Sequence, residues 1–141
     1  MTEQKLIPKN LNFPSKPTRL RALIVDDDSI MLAIGGNMLD SLGFTVDSAD
    51  GSVEALNYLG KYRYDLVMTD LIMSEMDGIE LARRIRHVSK KTKIVIMTGT
   101  QLDQVREMTA TETDCWLFKP FGLLQLEEAV NQFFPGDVGC Q

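Results

Sequence analysis

Cysteine and histidine are scarce in this 141-residue sequence, which holds two cysteines, Cys115 and Cys140, and a single histidine, His87. The cysteines form no CxxC pair and no metal-ligand spacing, so neither redox work nor a thiolate metal centre is expected. Cys115 lies in an apolar run and reads as a small core residue. No apolar run approaches the roughly 20 residues needed to span a bilayer. The opening MTEQKLIPKN lacks the apolar stretch of a signal peptide, so a cytoplasmic location is expected. Basic charge is also short: 15 Lys and Arg against 20 Asp and Glu leave a net charge of −5. That balance argues against a broad nucleic-acid or membrane surface, both of which are anionic.

Proline is thin in the body of the chain, since Pro8, Pro14 and Pro17 fall within residues 1–19. This segment carries Lys5, Lys9, Lys16 and Arg19 against Glu3 and reads as a flexible basic leader. The whole chain is 44% hydrophobic and 25% charged, ordinary for a globular protein, with room for one domain over 20–134 and a tail over 135–141.

From Leu20 onward, short apolar runs alternate with amphipathic stretches. Leu20–Val25 reads as a buried strand that ends at Asp26, Asp27 and Asp28. The helix after it carries Ile30, Ile34, Met38 and Leu42 at helical spacing, is capped by Asp28 or Ser29, and ends at Gly43. Gly35 and Gly36 weaken it, each by about 1 kcal/mol relative to alanine. Phe44–Ala49 is a weaker strand, and Ser52–Leu59 a helix with Val53, Leu56 and Leu59 on one side. Tyr64–Thr69 is a strand ending at Asp70. Asp77 caps a helix carrying Ile79, Ala82, Ile85 and Val88. Lys93–Met97 leads to Thr98, and a shorter fourth helix carries Leu102, Val105 and Met108. Cys115–Phe118 leads to Lys119 and Pro120. A fifth helix over about 122–134 buries Leu123, Leu126, Val130 and Phe133 or Phe134. Five strands alternating with five helices predict an α/β fold with a doubly wound parallel sheet.

Asp26, Asp27, Asp70, Thr98 and Lys119 all follow strand ends. In an open parallel sheet, ligands bind beyond the carboxyl ends of the strands, so these side chains are expected to share one crevice. Three carboxylates there need a counter-charge. A hard divalent cation such as Mg²⁺ supplies it, leaving a carboxylate as a competent nucleophile toward phosphorus. Lys119 would contribute a point charge and Thr98 a hydroxyl donor.

The runs Leu23–Ser29, Asp70–Gly78, Ile96–Gly99 and Phe118–Phe121 resemble, in order, the motifs of two-component response-regulator receiver domains. The resemblance spans about residues 20–134. It implies a flavodoxin-like sheet of order 2-1-3-4-5. It further implies that Asp70 is the phosphoacceptor, with Thr98 as switch hydroxyl and Lys119 as phosphate contact. Asp26, Asp27, Asp70 and the Ile72 carbonyl would hold Mg²⁺, and the Lys119–Pro120 bond would be cis. Trp116 occupies the place of the family's switch aromatic. Ser74 replaces a usual proline, and Glu112–Thr113 replace a usual Gly-Ala pair.

The implied function is a phosphoacceptor signalling switch and not an enzyme. A sensor histidine kinase or histidine phosphotransfer protein donates the phosphoryl group. A protein effector reads the face around the fourth helix, fifth strand and fifth helix. A single-domain regulator, a phosphorelay intermediate or an excerpt of a longer protein would each fit. Two alternatives remain open at this point. One is a degenerate receiver acting as a scaffold regardless of phosphorylation. The other is an aspartate phosphatase of the haloacid dehalogenase type, suggested by Asp26 and Asp28 as a DxD after a strand. Ile72 and Thr100 flank the pocket rim, and Ile72, unable to orient a water, implies slow self-dephosphorylation.

Overall fold

The computed structural model describes residues 19–99 and 112–136. Five strands alternate with helices: β1 (Arg21–Val25), α1 (Ser29–Ser41), β2 (Thr45–Ala49), α2 (Ser52–Leu59), β3 (Leu66–Asp70), α3 (Gly78–Val88), β4 (Lys93–Thr98), β5 (Cys115–Phe118) and α4 (Leu123–Asn131). All neighbouring strands pair in parallel, in the order β2-β1-β3-β4-β5, as expected. The predicted helix over 102–108 lies outside the described residues, as do most of the leader and tail.

Alternation along the central strands splits the core in two. Leu23, Val25, Val67, Ile94 and Ile96 face α2 and α3, packing with Ala55, Leu81 and Ile85. Ala22, Ile24, Met68, Val95 and Met97 face α1 and α4, packing with Leu39, Leu42, Leu126 and Val130. Two-sided burial of this kind explains why these strands read as continuous apolar runs. The chain order reverses between β1 and β3, so the connections leaving them cover opposite faces and open a crevice at their carboxyl ends.

Helix caps are local and legible. Asp28 Oδ1 accepts the Ile30 N–H at 3.0 Å, and Asp77 Oδ1 the Glu80 N–H at 2.8 Å. Gly43 ends α1 with φ 104°, the left-handed conformation a glycine tolerates. The α1 face, however, differs from the expected stripe. Ile30 and Ile34 are exposed, while Gly35 and Leu39 are buried. A Cβ at Gly35 would collide with Ile24 Cδ1, so this glycine lets α1 lie close on β1 and turns the neighbouring face inward. Val53 and Val88 are likewise exposed: α2 buries Ser52 and Ala55 instead, and Val88 is the last residue of α3, one turn past the buried Ile85. Cys115 is half-buried against the α1–α4 core, as its apolar setting suggests.

Candidate functional site

Parallel pairing brings the expected residues together. Asp70, the last residue of β3, stands opposite Met97, and Thr98 follows it as the last residue of β4. The Lys119 N–H donates to the Thr98 carbonyl at 2.9 Å, carrying the β4–β5 pairing one residue further. The Asp26 N–H donates to Ala49 O at 3.1 Å and extends the β1–β2 edge in the same way. Four strand ends thus open on one mouth, where the side chains of Asp26, Asp70 and Lys119 meet. The Lys119–Pro120 bond is cis, as the resemblance implies.

Asp26 is fully buried, with Oδ1 accepting the Asp28 N–H at 3.0 Å and Oδ2 accepting from Lys119 Nζ at 3.1 Å. Lys119 Nζ also lies 3.3 Å from Asp70 Oδ1, which in turn accepts the Leu71 N–H at 3.0 Å. One ammonium therefore bridges two carboxylates. Carboxylate oxygens of Asp26, Asp27 and Asp70 all lie within 4.8 Å of one another, and Asp27 is exposed to solvent. An all-oxygen donor set with one open side suits a hard divalent cation. Asp28 is spent on its helix cap and stands outside this trio.

The electrostatics follow from this crowding. Burial, and then the charge of Asp26, push the Asp70 carboxyl above its ordinary value, against the pull of Lys119. For Lys119, burial favours the neutral amine, but hydrogen bonds and charge from Asp26 and Asp70 outweigh it and hold the ammonium. Thr98 is buried at the rim. Ile72 projects its side chain into solvent two residues past Asp70. Trp116 packs, partly buried, on the α2–α3 core beside Ile96.

Sequence reasoning missed two long-range contacts, one beside the site and one at the opposite end of the sheet. Glu75, in the loop after Asp70, sets Oε1 3.4 Å from the Val53 N–H at the start of α2, whose N-cap residue, Gly51, has no side chain. Arg86 donates to the carbonyls of Lys90, Thr92 and Glu112 at 2.8–3.0 Å and to Asp114 Oδ2 at 2.7 Å, binding α3 to the turn before β5. The bare glycine cap at Gly51 could have signalled the first; nothing local marks the second.

Residues 22–131 match the family model described as the response regulator receiver domain. The chain is 36% identical over 128 residues to the virulence sensor protein BvgS of Bordetella bronchiseptica, spanning 84% of this chain and one-tenth of that protein's length. It is 28% identical over 116 residues to sporulation initiation phosphotransferase F of Bacillus subtilis, covering 82% of this chain and 94% of that protein. Among solved structures, chemotaxis response regulator CheY4 of Vibrio cholerae superposes with a TM-score of 0.76 at 27% identity, over 82% of this chain and 99% of that one. A two-component response regulator from Clostridium difficile does so with a TM-score of 0.76 at 29% identity, over 83% and 97%. A parallel sheet of this order, an acidic trio facing one lysine, and likeness to a sensor, a phosphotransferase and chemotaxis regulators agree on one conclusion: the chain belongs to the receiver domains of two-component signal transduction.

Proposed function

We propose that the chain is a phosphoacceptor switch in which Asp70 takes a phosphoryl group from a phosphohistidine on a sensor histidine kinase or histidine phosphotransfer protein. The observation that carries this reading is the place of the Asp70 carboxylate, beside the carboxylates of Asp26 and Asp27 and 3.3 Å from Lys119 Nζ. A carboxylate oxygen of Asp70 forms the new P–O bond as the P–N bond breaks, and the bonding pair stays on the imidazole nitrogen. Catalysis of such a transfer is mostly positioning and charge stabilisation.

Asp26, Asp27, Asp70 and the Ile72 carbonyl would hold Mg²⁺. The ion supplies the positive charge that lets an anionic phosphoryl group approach three carboxylates. Lys119, at present shared between Asp26 and Asp70, exchanges the Asp70 contact for a phosphoryl oxygen. Thr98 donates its hydroxyl to another. Drawing Thr98 inward shifts the population between two packings around β5 and α4, and a protein effector reads that face. The chain acts once per phosphoryl group, as a stoichiometric acceptor. Its relatives named a sensor protein and a phosphotransferase fit a place in such a relay.

Incubation with acetyl phosphate and Mg²⁺, followed by intact-mass measurement, tests the proposal. The wild type gains one phosphoryl group, and neither Asp70→Asn nor a chelator-treated sample does. Equal gain in Asp70→Asn overturns it.

A further inference from the structure

The end of the sheet remote from Asp70 carries a second feature that phosphoryl transfer does not use. Here the segments entering β3 and β4 run beneath the C-terminal turns of α2 and α3. They enclose a cavity of about 390 Å³. That volume lies in the range of sites that accept a small ligand or a few side chains of a peptide. Its floor is apolar, from Leu56, Leu59 and Ile85, and its edges are Tyr62 and Val88. Val88 is 81% exposed and Tyr62 45% exposed, so two large apolar groups face solvent beside an apolar hollow.

The rim is basic. Arg63, Arg84 and Lys91 line the cavity, and Arg83 and His87 line an adjoining depression that shares Arg84 and Val88. Arg84 is engaged by Glu80 at 3.2 Å, whereas the side chains of Arg63 and Lys91 have no ion-pair partner among the described residues. The acidic member of the lining, Asp65, is occupied, because its Oδ2 accepts the Arg21 N–H at 2.8 Å. Arg83 is likewise paired with Glu80 at 2.7 Å, so Arg63 and Lys91 are the two cations left to meet a partner beside this apolar hollow, on a chain whose net charge is −5.

We propose that this cavity is a docking site for an acidic protein segment that inserts an apolar or aromatic anchor side chain. Charge complementarity selects the acidic flanks, and the concave floor selects the anchor. A nucleic acid would meet the same cations, but the aliphatic lining of Leu56, Leu59 and Ile85 suits an apolar side chain better than a polar base edge, and the oligonucleotide arm of the test separates the two. The site is built from the amino ends of β3 and β4, so it leaves the crevice at their carboxyl ends open.

The test is fluorescence anisotropy of the full chain with a labelled peptide, Glu-Glu-Leu-Phe-Glu-Glu. The expected result is saturable binding. It weakens about tenfold or more in the double variant Arg63→Glu, Lys91→Glu, and as much when Ser-Ser replaces Leu-Phe in the peptide. Both arginine and lysine are exposed, so the fold survives their reversal. Amide NMR shifts on adding the peptide should fall within 56–65 and 84–92. Absence of saturation at millimolar peptide, equal affinity in the double variant, equal affinity of the Ser-Ser peptide or of a single-stranded oligonucleotide, or shifts elsewhere would each overturn the proposal.

Discussion

Asp26 and Lys119 stand 93 positions apart in the chain and meet as an ion pair, Oδ2 to Nζ at 3.1 Å. The carboxylate is buried and the ammonium is about a quarter exposed, so the aspartate depends on the lysine more than the reverse. Replacing Lys119 by Met leaves Asp26 with the Asp28 N–H as its remaining partner. A buried charged acceptor stripped of its cation costs about 2 kcal/mol. Urea unfolding at neutral pH should show that loss with an unchanged m-value, and Lys119→Arg should recover most of it. Wild-type stability in Lys119→Met would mean that water, not the lysine, neutralises Asp26.

Asp70 gives a prediction of opposite sign. Burial first, and Asp26 second, raise its pKa in the folded state above the ordinary value of 3.8. Its contribution to stability is therefore fully present below the unfolded value and lost as pH rises through the folded one. At neutral pH the ionised carboxylate costs stability, which is a common property of groups retained for function. Asp70→Asn keeps the shape and removes the charge. It should be more stable than wild type by about 1 kcal/mol at neutral pH, with the gap closing on acidification. Thermal unfolding at several pH values checks both the sign and the closure.

The strand-end residues of the site are legible in the sequence because parallel strands place all their carboxyl ends at one edge. Asp26, Asp70, Thr98 and Lys119 each sit at or just past the end of an apolar run, and the sheet brings them together. Helix faces are less legible. In α1 the stripe of Ile30 and Ile34 has the stronger periodicity, yet the inward face is chosen by Gly35, whose missing Cβ admits Ile24. Arg86 is the least legible. Its partners are carbonyls and a carboxylate up to 28 positions away. Contacts of that range leave no pattern in neighbouring residues.

That hidden role makes Arg86 a stability determinant. Its side chain is 19% exposed, and its guanidinium satisfies several carbonyls together with Asp114, whose Oδ2 also accepts the Ile94 N–H at 2.8 Å. Arg86→Ala should cost about 2–3 kcal/mol, as expected for charged hydrogen bonds lost from a partly buried network. Arg86→Lys should recover less than half, since a single ammonium cannot span the fork. Denaturant unfolding of both variants decides it, and full recovery by lysine would reduce the role of Arg86 to charge alone.

Two glycines at helical positions should respond oppositely to alanine. Gly36 meets nothing nearer than 4.0 Å from an added Cβ, so Gly36→Ala should stabilise by the helix-propensity difference of about 0.8–1 kcal/mol. At Gly78 the added Cβ would collide with the Asp70 backbone carbonyl and lie 3.1 Å from Leu71 Cα. Backbone cannot rotate aside as a side chain can. Gly78→Ala should therefore destabilise by about 1–3 kcal/mol, and it should slow phosphorylation by shifting Asp70. Paired unfolding curves and mass-based phosphorylation rates test both signs.

If Asp70 is the phosphoacceptor proposed above, Ile72 should bear on how long the phosphoryl group persists. Its side chain is 68% exposed, two residues past Asp70, and has no polar atom with which to hold a water. Hydrolysis of an acyl phosphate needs a water positioned in line with the P–O bond, and an apolar neighbour leaves that positioning to chance. An asparagine at the same exposed position could hold such a water through one hydrogen bond. A net bond worth about 1.4 kcal/mol in the transition state corresponds to a tenfold rate. Ile72→Asn should therefore shorten the phosphoryl half-life by up to about tenfold, while Ile72→Leu leaves it unchanged. Mass spectra taken after the phosphodonor is removed give both half-lives. If asparagine and leucine decay alike, access at this rim does not control the lifetime, and the buried side of the crevice around Thr98 becomes the place to look.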